Sequence, residues 1–467
     1  MSPLRNLSRL FLALAIPAAA CGEGTGPVPS SVAEIGIDSA AGPLIRTVTV
    51  RLSEAAPVEV TYGATDGSTP VLTIAADSAA IEHRVILPRL RAAREYRVEA
   101  RVSRPGERAL TRNFRTGALP PSLAPIRLFT TGQPSLPVAL IEVVGGTQFT
   151  GLLIVEDGEI AGYIEVAGAL FGSTRRANGD LVLLHPADGL LVTRLDGTLI
   201  HRLPQSGPGT AYGRIHHDVT ATPTNTVLFI ANETQVVGTE TVVGEALWDW
   251  NPEAGTVVRR WSAFDHLAWP ADAGERSVAG NWLHGNGISF GPRGNVVMSL
   301  RNADRIISIA PDFSRLEWKL GGTTSTLALA DADRFFGQHY VTEPALGRLL
   351  VYDNGFDRPG GAYTRAIEYA IDTQAGTATR VWQYRASPDI YSSLVGSARR
   401  LPNGNTTVLF GMLGGQSGSS GPLSAVEVTP AGAVVWRMTV SPQLTRLYRV
   451  TPVASLLGEQ PGSFAGR

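Results

Sequence analysis

Four of the eight histidines in the chain fall in phrases that share one register: His216-His217-Asp218, Trp282-Leu283-His284-Gly285-Asn286 and Gln338-His339. Each phrase stands just ahead of an apolar, strand-like run, whereas His83, His185, His201 and His266 occupy ordinary turn or surface contexts. A single histidine more often holds a backbone carbonyl; it is the recurrence of the register that points to a shared site. A neutral imidazole is basic near neutral pH and carries no charge to repel an anion, which suits it to act as a nucleophile or as a general acid and base. Arg301 follows the run Asn295 to Leu300, one strand length beyond His284. Its guanidinium offers a fixed fork to anionic oxygens. Three imidazoles and a guanidinium therefore suit transfer of an anionic group through a histidine. The same three histidines are compatible with zinc or copper, although an adjoining arginine repels a cation and Asp218 is the one obvious carboxylate in these phrases. A non-catalytic binding platform is the third reading, because a fold alone does not guarantee activity.

The residues that must position this chemistry are short runs of Val, Ile, Leu and Thr, separated by turns that contain many of the 51 Gly and 31 Pro. That pattern predicts an all-β chain. One theme recurs: a Gly- or Asn-containing turn, then an apolar strand, as in Ala177 to Leu184, Thr222 to Phe229, Gly291 to Met298 and Leu401 to Val408. A second is a run ending in Trp261, Trp318, Trp382 or Trp436. Degenerate all-strand repeats predict a β-propeller, and roughly 330 residues at this spacing give about six blades. A residue just before or on the innermost strand of a blade faces the central channel, so three blades would aim imidazoles at one point. Ahead of the propeller, assigned to residues 128–467, residues 32–117 alternate like a small fibronectin type III-like β-sandwich, with Tyr96 as its corner tyrosine and a spacer or lid support as its expected role. Linkers are expected at 22–31 and 118–127.

The succession of phrases resembles the bacterial arylsulfotransferases that work without a nucleotide sulfate donor. It runs His216-His217-Asp218, Trp282-Leu283-His284-Gly285-Asn286, Ser299-Leu300-Arg301, Phe335-Phe336-Gly337-Gln338-His339, Asp353-Asn354-Gly355 and Arg365-Ala366-Ile367-Glu368-Tyr369-Ala370-Ile371-Asp372. The resemblance implies a six-bladed propeller and a ping-pong transfer of a sulfuryl group from an aryl sulfate to a phenol, through a sulfohistidine and without a cofactor. It implies His339 as nucleophile and His284 and Arg301 as its companions; in the His-His-Asp phrase it favours His217 for the acid-base role, with His216 the alternative. His216, Asn286, Asp353 and Asn354 are the expected substrate-binding residues. Phe335, Phe336, Tyr340 and Trp282 are candidates either for stacking on an aromatic ring or for blade core. Arg365 and Glu368 are expected as a blade-to-blade ion pair. Gly285 and Gly287 stand where the family pattern has bulkier or hydroxyl residues, which predicts a looser loop around His284. The disulfide that some members carry near the pocket cannot form, since Cys21 is the only cysteine.

The 467 residues carry a formal net charge of −1, which argues against nucleic acid or an anionic membrane surface as partner. Small molecules are the expected partners; the oligomeric state is not legible. Arg5 and Arg9, the apolar run Leu10 to Ile16 and Ala18-Ala19-Ala20-Cys21-Gly22 have the pattern of an export signal ending in a lipoprotein cleavage site. This predicts residues 1–21 as signal, lipidation at Cys21 and a membrane-anchored protein of the periplasm or cell envelope.

Overall fold

The computed structural model describes residues 31–38, 44–146, 148–415, 417–441, 444–457 and 460–461. The signal segment, Cys21 and nearly all of the 22–31 linker lie outside them. Among the described residues, regular structure is β-strand apart from three short 3-10 turns, at Ala263–Asp265, Arg301–Ala303 and Asp331–Asp333.

From residue 128 to residue 453 the strands form six small antiparallel sheets, five of four strands and one of five. Their leading strands are Gly172–Arg175, Ile215–Ala221, Gly285–Phe290, Val341–Ala345, Ser397–Arg400 and Leu444–Val453. In the order given, each of the first five leading strands lies against the one that follows it. Close approach there depends on glycine: a Cβ on Gly287 would stand 2.8 Å from the His339 carbonyl oxygen, and one on Gly172 would stand 3.1 Å from that of His217. The repeated turn-and-strand phrase is the hairpin joining the first strand of a sheet to its second. Gly179, Gly294 and Gly404 turn it at φ of 92°, 82° and 86°, and Asn225 does the same at 67°. The phrase ending in tryptophan is an outer strand. Trp261, Trp318 and Trp436 are all buried there against the apolar faces of the sheets.

The chain closes on itself twice. Leu444–Val453 pairs with Val138–Gly146, completing a sheet begun some 300 residues earlier, and Leu128–Gly132 adds to Val434–Val440. Both pairings convert open edges into ladders, which protects them from pairing with other chains.

The N-terminal unit is built on one hydrogen-bonded path rather than two separate sheets. Its long strand Arg46–Ala64 pairs with Val32–Asp38 through its first part, with Glu95–Val102 through its second, and with Leu72–Leu87 along most of its length. Bulges at Arg51/Ala56 and Ala56/Val58 let one strand serve both pairings. Buried Tyr96 accepts the Arg91 amide on its hydroxyl at 2.7 Å, which fixes the loop that meets the following sheets. There Arg89 and Arg91 converge on the buried carboxylate of Glu156, Arg91 at 2.9 Å, and Arg94 reaches Glu159 at 2.7 Å. Near the other end of the chain, Gln460–Pro461 pairs with Leu72 and Thr73 of the N-terminal unit.

Candidate active site

The histidine phrases sit at or just before three successive leading strands, at the same end. His217 and His284 adopt left-handed backbone conformations, with φ of 60° and 55°. A non-glycine residue held there costs on the order of 1–2 kcal/mol, so each needs support. His217 has it from Asp218, a fully buried carboxylate. Asp218 accepts the amide of Val219 at 2.9 Å, that of Ile288 at 2.8 Å and the Arg449 guanidinium at 2.7 Å, tying three leading strands together. His284 has it from the hairpin partner: the Arg301 amide donates to the His284 carbonyl at 3.2 Å and the Asn302 amide to that of Leu283 at 3.0 Å. Arg301 is thus alongside His284 and not a strand length beyond it, because the antiparallel return cancels the separation along the chain. The glycines flanking Asn286 tighten this region instead of loosening it. A Cβ on Gly285 would fall 2.4 Å from Met298 Cε, and Gly287 admits the His339 backbone.

The three histidines share a further property: each has Nδ1 engaged and, among the described residues, no protein group bonded to Nε2. His339 Nδ1 meets Asn354 Oδ1 at 2.8 Å. The orientation of that amide is fixed, because Asn354 Nδ2 donates to the carbonyls of Ser392 at 2.7 Å and Val395 at 2.9 Å. Oδ1 must therefore accept, His339 must carry its proton on Nδ1, and its Nε2 lone pair is bare. His217 Nδ1 lies 2.8 Å from His216 Nδ1, and His284 Nδ1 lies 3.2 to 3.3 Å from the Asn281 side chain. The rings of His217 and His284 meet edge to face with centroids 4.5 Å apart. Gln338 fastens the His339 segment to the Arg301 hairpin by donating to Ser299 Oγ and to the carbonyls of Leu300 and Arg305.

Burial, then the neighbouring positive charge of Arg301, pushes the pKa of His339 down to about 3; burial, then Arg301 and His216, does the same for His284. His217 is also pushed well below its ordinary value, first by burial and then by His216, His284, His339 and Arg301. All three are neutral near pH 7. Arg301 packs 5.0 Å from the Phe356 ring, its Nη1 meets Asn302 Oδ1 at 3.3 Å, and its buried Nε has no protein partner. A cavity of about 370 Å³ opens onto His216, His217 and His284, with Phe171, Arg214, Asn232 and Glu245 among its other walls. Arg301 and His339 are not in its lining; they are electrostatically coupled to it through His217 and His284. Among the described residues, no three His, Cys, Asp or Glu side chains are arranged to hold a metal ion.

The other expected site residues are placed as follows. Asn286 is buried and donates to the Gln338 carbonyl at 2.9 Å, leaving Oδ1 without a partner. Asn354 is committed to His339, as above. Asp353 faces away: its carboxylate accepts from Arg365 at 2.8 Å, from Arg358, and from the Phe336 and Gly355 amides, so it shapes the turn. Arg365 and Glu368 do not pair with each other; Glu368 instead meets Arg400 of the next sheet. Trp282 and Phe335 are core, packed on Trp269 and Tyr369. Buried Tyr340 lies under Arg449, Phe336 lies against Arg334 and Arg358, and Phe171, 6.0 Å from His217, is the aromatic ring at the cavity. Sequence reasoning missed Glu245, whose Oε2 lies 2.9 Å from His216 Nε2. A lone carboxylate in the apolar run Val242 to Trp248 was the available signal. It also missed Arg449, whose partner Asp218 is far away in sequence.

A solved protein of unknown function from Bacteroides caccae is similar at 14% identity over 68% of this chain and all of its own, with a TM-score of 0.47. A streptogramin B lyase is similar at 11% identity over 85% of this chain and 98% of its own, with a TM-score of 0.36. Arylsulfate sulfotransferase AssT of Escherichia coli O6:H1 (strain CFT073) is 25% identical over 166 residues, which is 28% of this chain and 28% of that protein; the chain thus matches well under two thirds of this relative. The arylsulfotransferase (ASST) family model matches residues 156–449, which contain every histidine and arginine of the cluster. With well over half of its length so matched, the chain belongs to the arylsulfotransferase family.

Proposed function

We propose that the protein is an aryl sulfate sulfotransferase that carries a sulfuryl group from an aryl sulfate to a phenol in two displacements at the histidine cluster. The observation that carries this reading is His339: neutral, with its proton held on Nδ1 by an amide of fixed orientation and its Nε2 lone pair bare, and with the half-buried guanidinium of Arg301 near enough to lower its pKa. In the first displacement Nε2 attacks sulfur in line, the S–O bond to the aryl group breaks, and His217 protonates the departing phenolate. In the second the acceptor oxygen attacks the sulfohistidine, the N–S bond breaks, and His217 takes the acceptor proton. Arg301 and His284 face the sulfuryl oxygens as charge builds there. The six sheets with abutting leading strands support a six-bladed propeller whose central channel holds the site. The N-terminal unit is read as a fibronectin type III-like spacer, and Cys21 as a lipid anchor in the periplasm or cell envelope.

The test is incubation of the protein with a chromogenic aryl sulfate, with and without phenol, followed by mass spectrometry. Phenol-dependent turnover and a sulfuryl adduct on His339, both abolished in His339→Ala, are expected. Absence of turnover and adduct over a panel of donors would sink the reading.

A further inference from the structure

His217 is not alone. Its Nδ1 lies 2.8 Å from Nδ1 of His216, and His216 Nε2 lies 2.9 Å from Oε2 of Glu245, whose side chain is 2% exposed. Glu245 Oε1 accepts the Gly285 amide at 2.9 Å, which anchors the carboxylate, while Oε2 has no in-line hydrogen bond and faces His216 as an ion-pair contact. Asn232 Nδ2 is the second neighbour of His216 Nε2, at 3.1 Å; a proton on that nitrogen requires the Asn232 amide to be turned so that its Oδ1 accepts there, and Arg214 is the other charged side chain on this wall of the cavity. A carboxylate so close favours a proton on His216 Nε2. His216 Nδ1 is then an acceptor, His217 Nδ1 donates to it, and His217 Nε2 is left free to take a proton.

We propose that Glu245, His216 and His217 form a proton relay, in which Glu245 and His216 are positioning residues that take up the charge His217 would otherwise hold. The proposal rests on the acid-base role given to His217 above. When an acceptor phenol gives its proton to His217 Nε2, the His217 Nδ1 proton passes to His216 Nδ1. His217 is neutral again, His216 is an imidazolium, and the positive charge rests against the Glu245 carboxylate. The reverse sequence starts from that His216 imidazolium: the stored proton returns through His217 Nδ1, His217 Nε2 gives its proton to the phenolate departing in the next transfer, and the relay is neutral again. No charge remains on His217 against the His284 ring, where it would repel the Arg301 guanidinium that holds the sulfuryl oxygens.

Glu245→Gln is the informative variant, because its amide oxygen can keep the Gly285 bond while its N–H group meets His216 Nε2 and reverses the relay. Two measurements test it. Nitrogen-15 NMR of the histidines should find the His216 proton on Nε2 at neutral pH in the wild type and on Nδ1 in Glu245→Gln. Transfer rates from a series of aryl sulfates should show a loss in the variant that grows with the pKa of the phenol, reaching about tenfold to hundredfold for the least acidic, the scale of one general acid-base group. A His216 tautomer that is the same in both proteins, or a rate loss equal for every donor, would overturn the relay. If the wild type forms no sulfohistidine, the sulfotransferase reading fails, and the NMR result still decides whether the relay exists.

Discussion

His339 and His217 hold their imidazoles in the same way and in opposite company. Both have Nδ1 bonded and Nε2 without a protein partner, yet His339 is held by an amide locked onto two carbonyls, whereas His217 is held by a second imidazole backed by a carboxylate. An amide fixes a tautomer and accepts no proton. An imidazole with a carboxylate behind it can accept one. The first arrangement suits a group that must remain a lone-pair donor, the second a group that must change protonation state twice in each cycle. One propeller-like scaffold thus prepares identical side chains for different work through what stands behind their Nδ1 atoms.

The strongest way to break the comparison is to remove what holds His339. Asn354→Ala takes the Asn354 donor from the Val395 carbonyl, leaves the Ser392 carbonyl with only the Thr364 hydroxyl, and lets the imidazole choose its tautomer. Sulfuryl-adduct formation measured by rapid quench should slow by about 100-fold, with stability lower by about 1–3 kcal/mol in denaturant titration. A variant as fast as wild type would mean that the amide does not set the tautomer. A pH series sharpens the contrast. With a donor whose phenol is a good leaving group, the rate of His339 modification should stay flat as pH falls from neutrality and decline only as pH nears the His339 pKa of about 3. Transfer to a weakly acidic phenol, which needs the acid-base pair, should fall earlier.

The same lowered pKa values carry a stability consequence. Below the ordinary histidine value of 6.5 the unfolded chain binds protons that folded His217, His284 and His339 refuse. Stability is therefore complete above that pH and is lost as pH drops, by about 1.4 kcal/mol per pH unit for each such histidine. Thermal unfolding between pH 7 and 5 should show a steeper decline than in His284→Asn, which removes one of the three.

The histidines were legible in the sequence because each belongs to a phrase repeated at one register, and a repeat of hairpins puts equal registers at equal heights. The all-β class was legible for the same reason. Arg301 was found but set a strand away from His284, since distance along a hairpin is not distance in space. Asp353 and Asn354 were grouped because they adjoin, and alternation along an extended chain sends one to Arg365 and the other to His339. Glu245 and Arg449 were missed because their partners lie on other strands, and no local pattern encodes a pairing such as that of Asp218 with Arg449, more than two hundred residues apart. The glycines at 285 and 287 suggested slack, whereas their value is the room they give to neighbours.

The strand that closes the last sheet is also the one that carries Arg449, and it is the last of the six leading strands to be made. A ribosome therefore finishes the three histidine phrases long before it supplies the cation that compensates Asp218. Until then a carboxylate destined for complete burial has no counter-charge, and the left-handed turn at His217 lacks its brace. Assembly of the reactive cluster is thereby timed to synthesis of this strand: a polypeptide that stops short of it holds the three histidine phrases and Arg301 but not their arrangement.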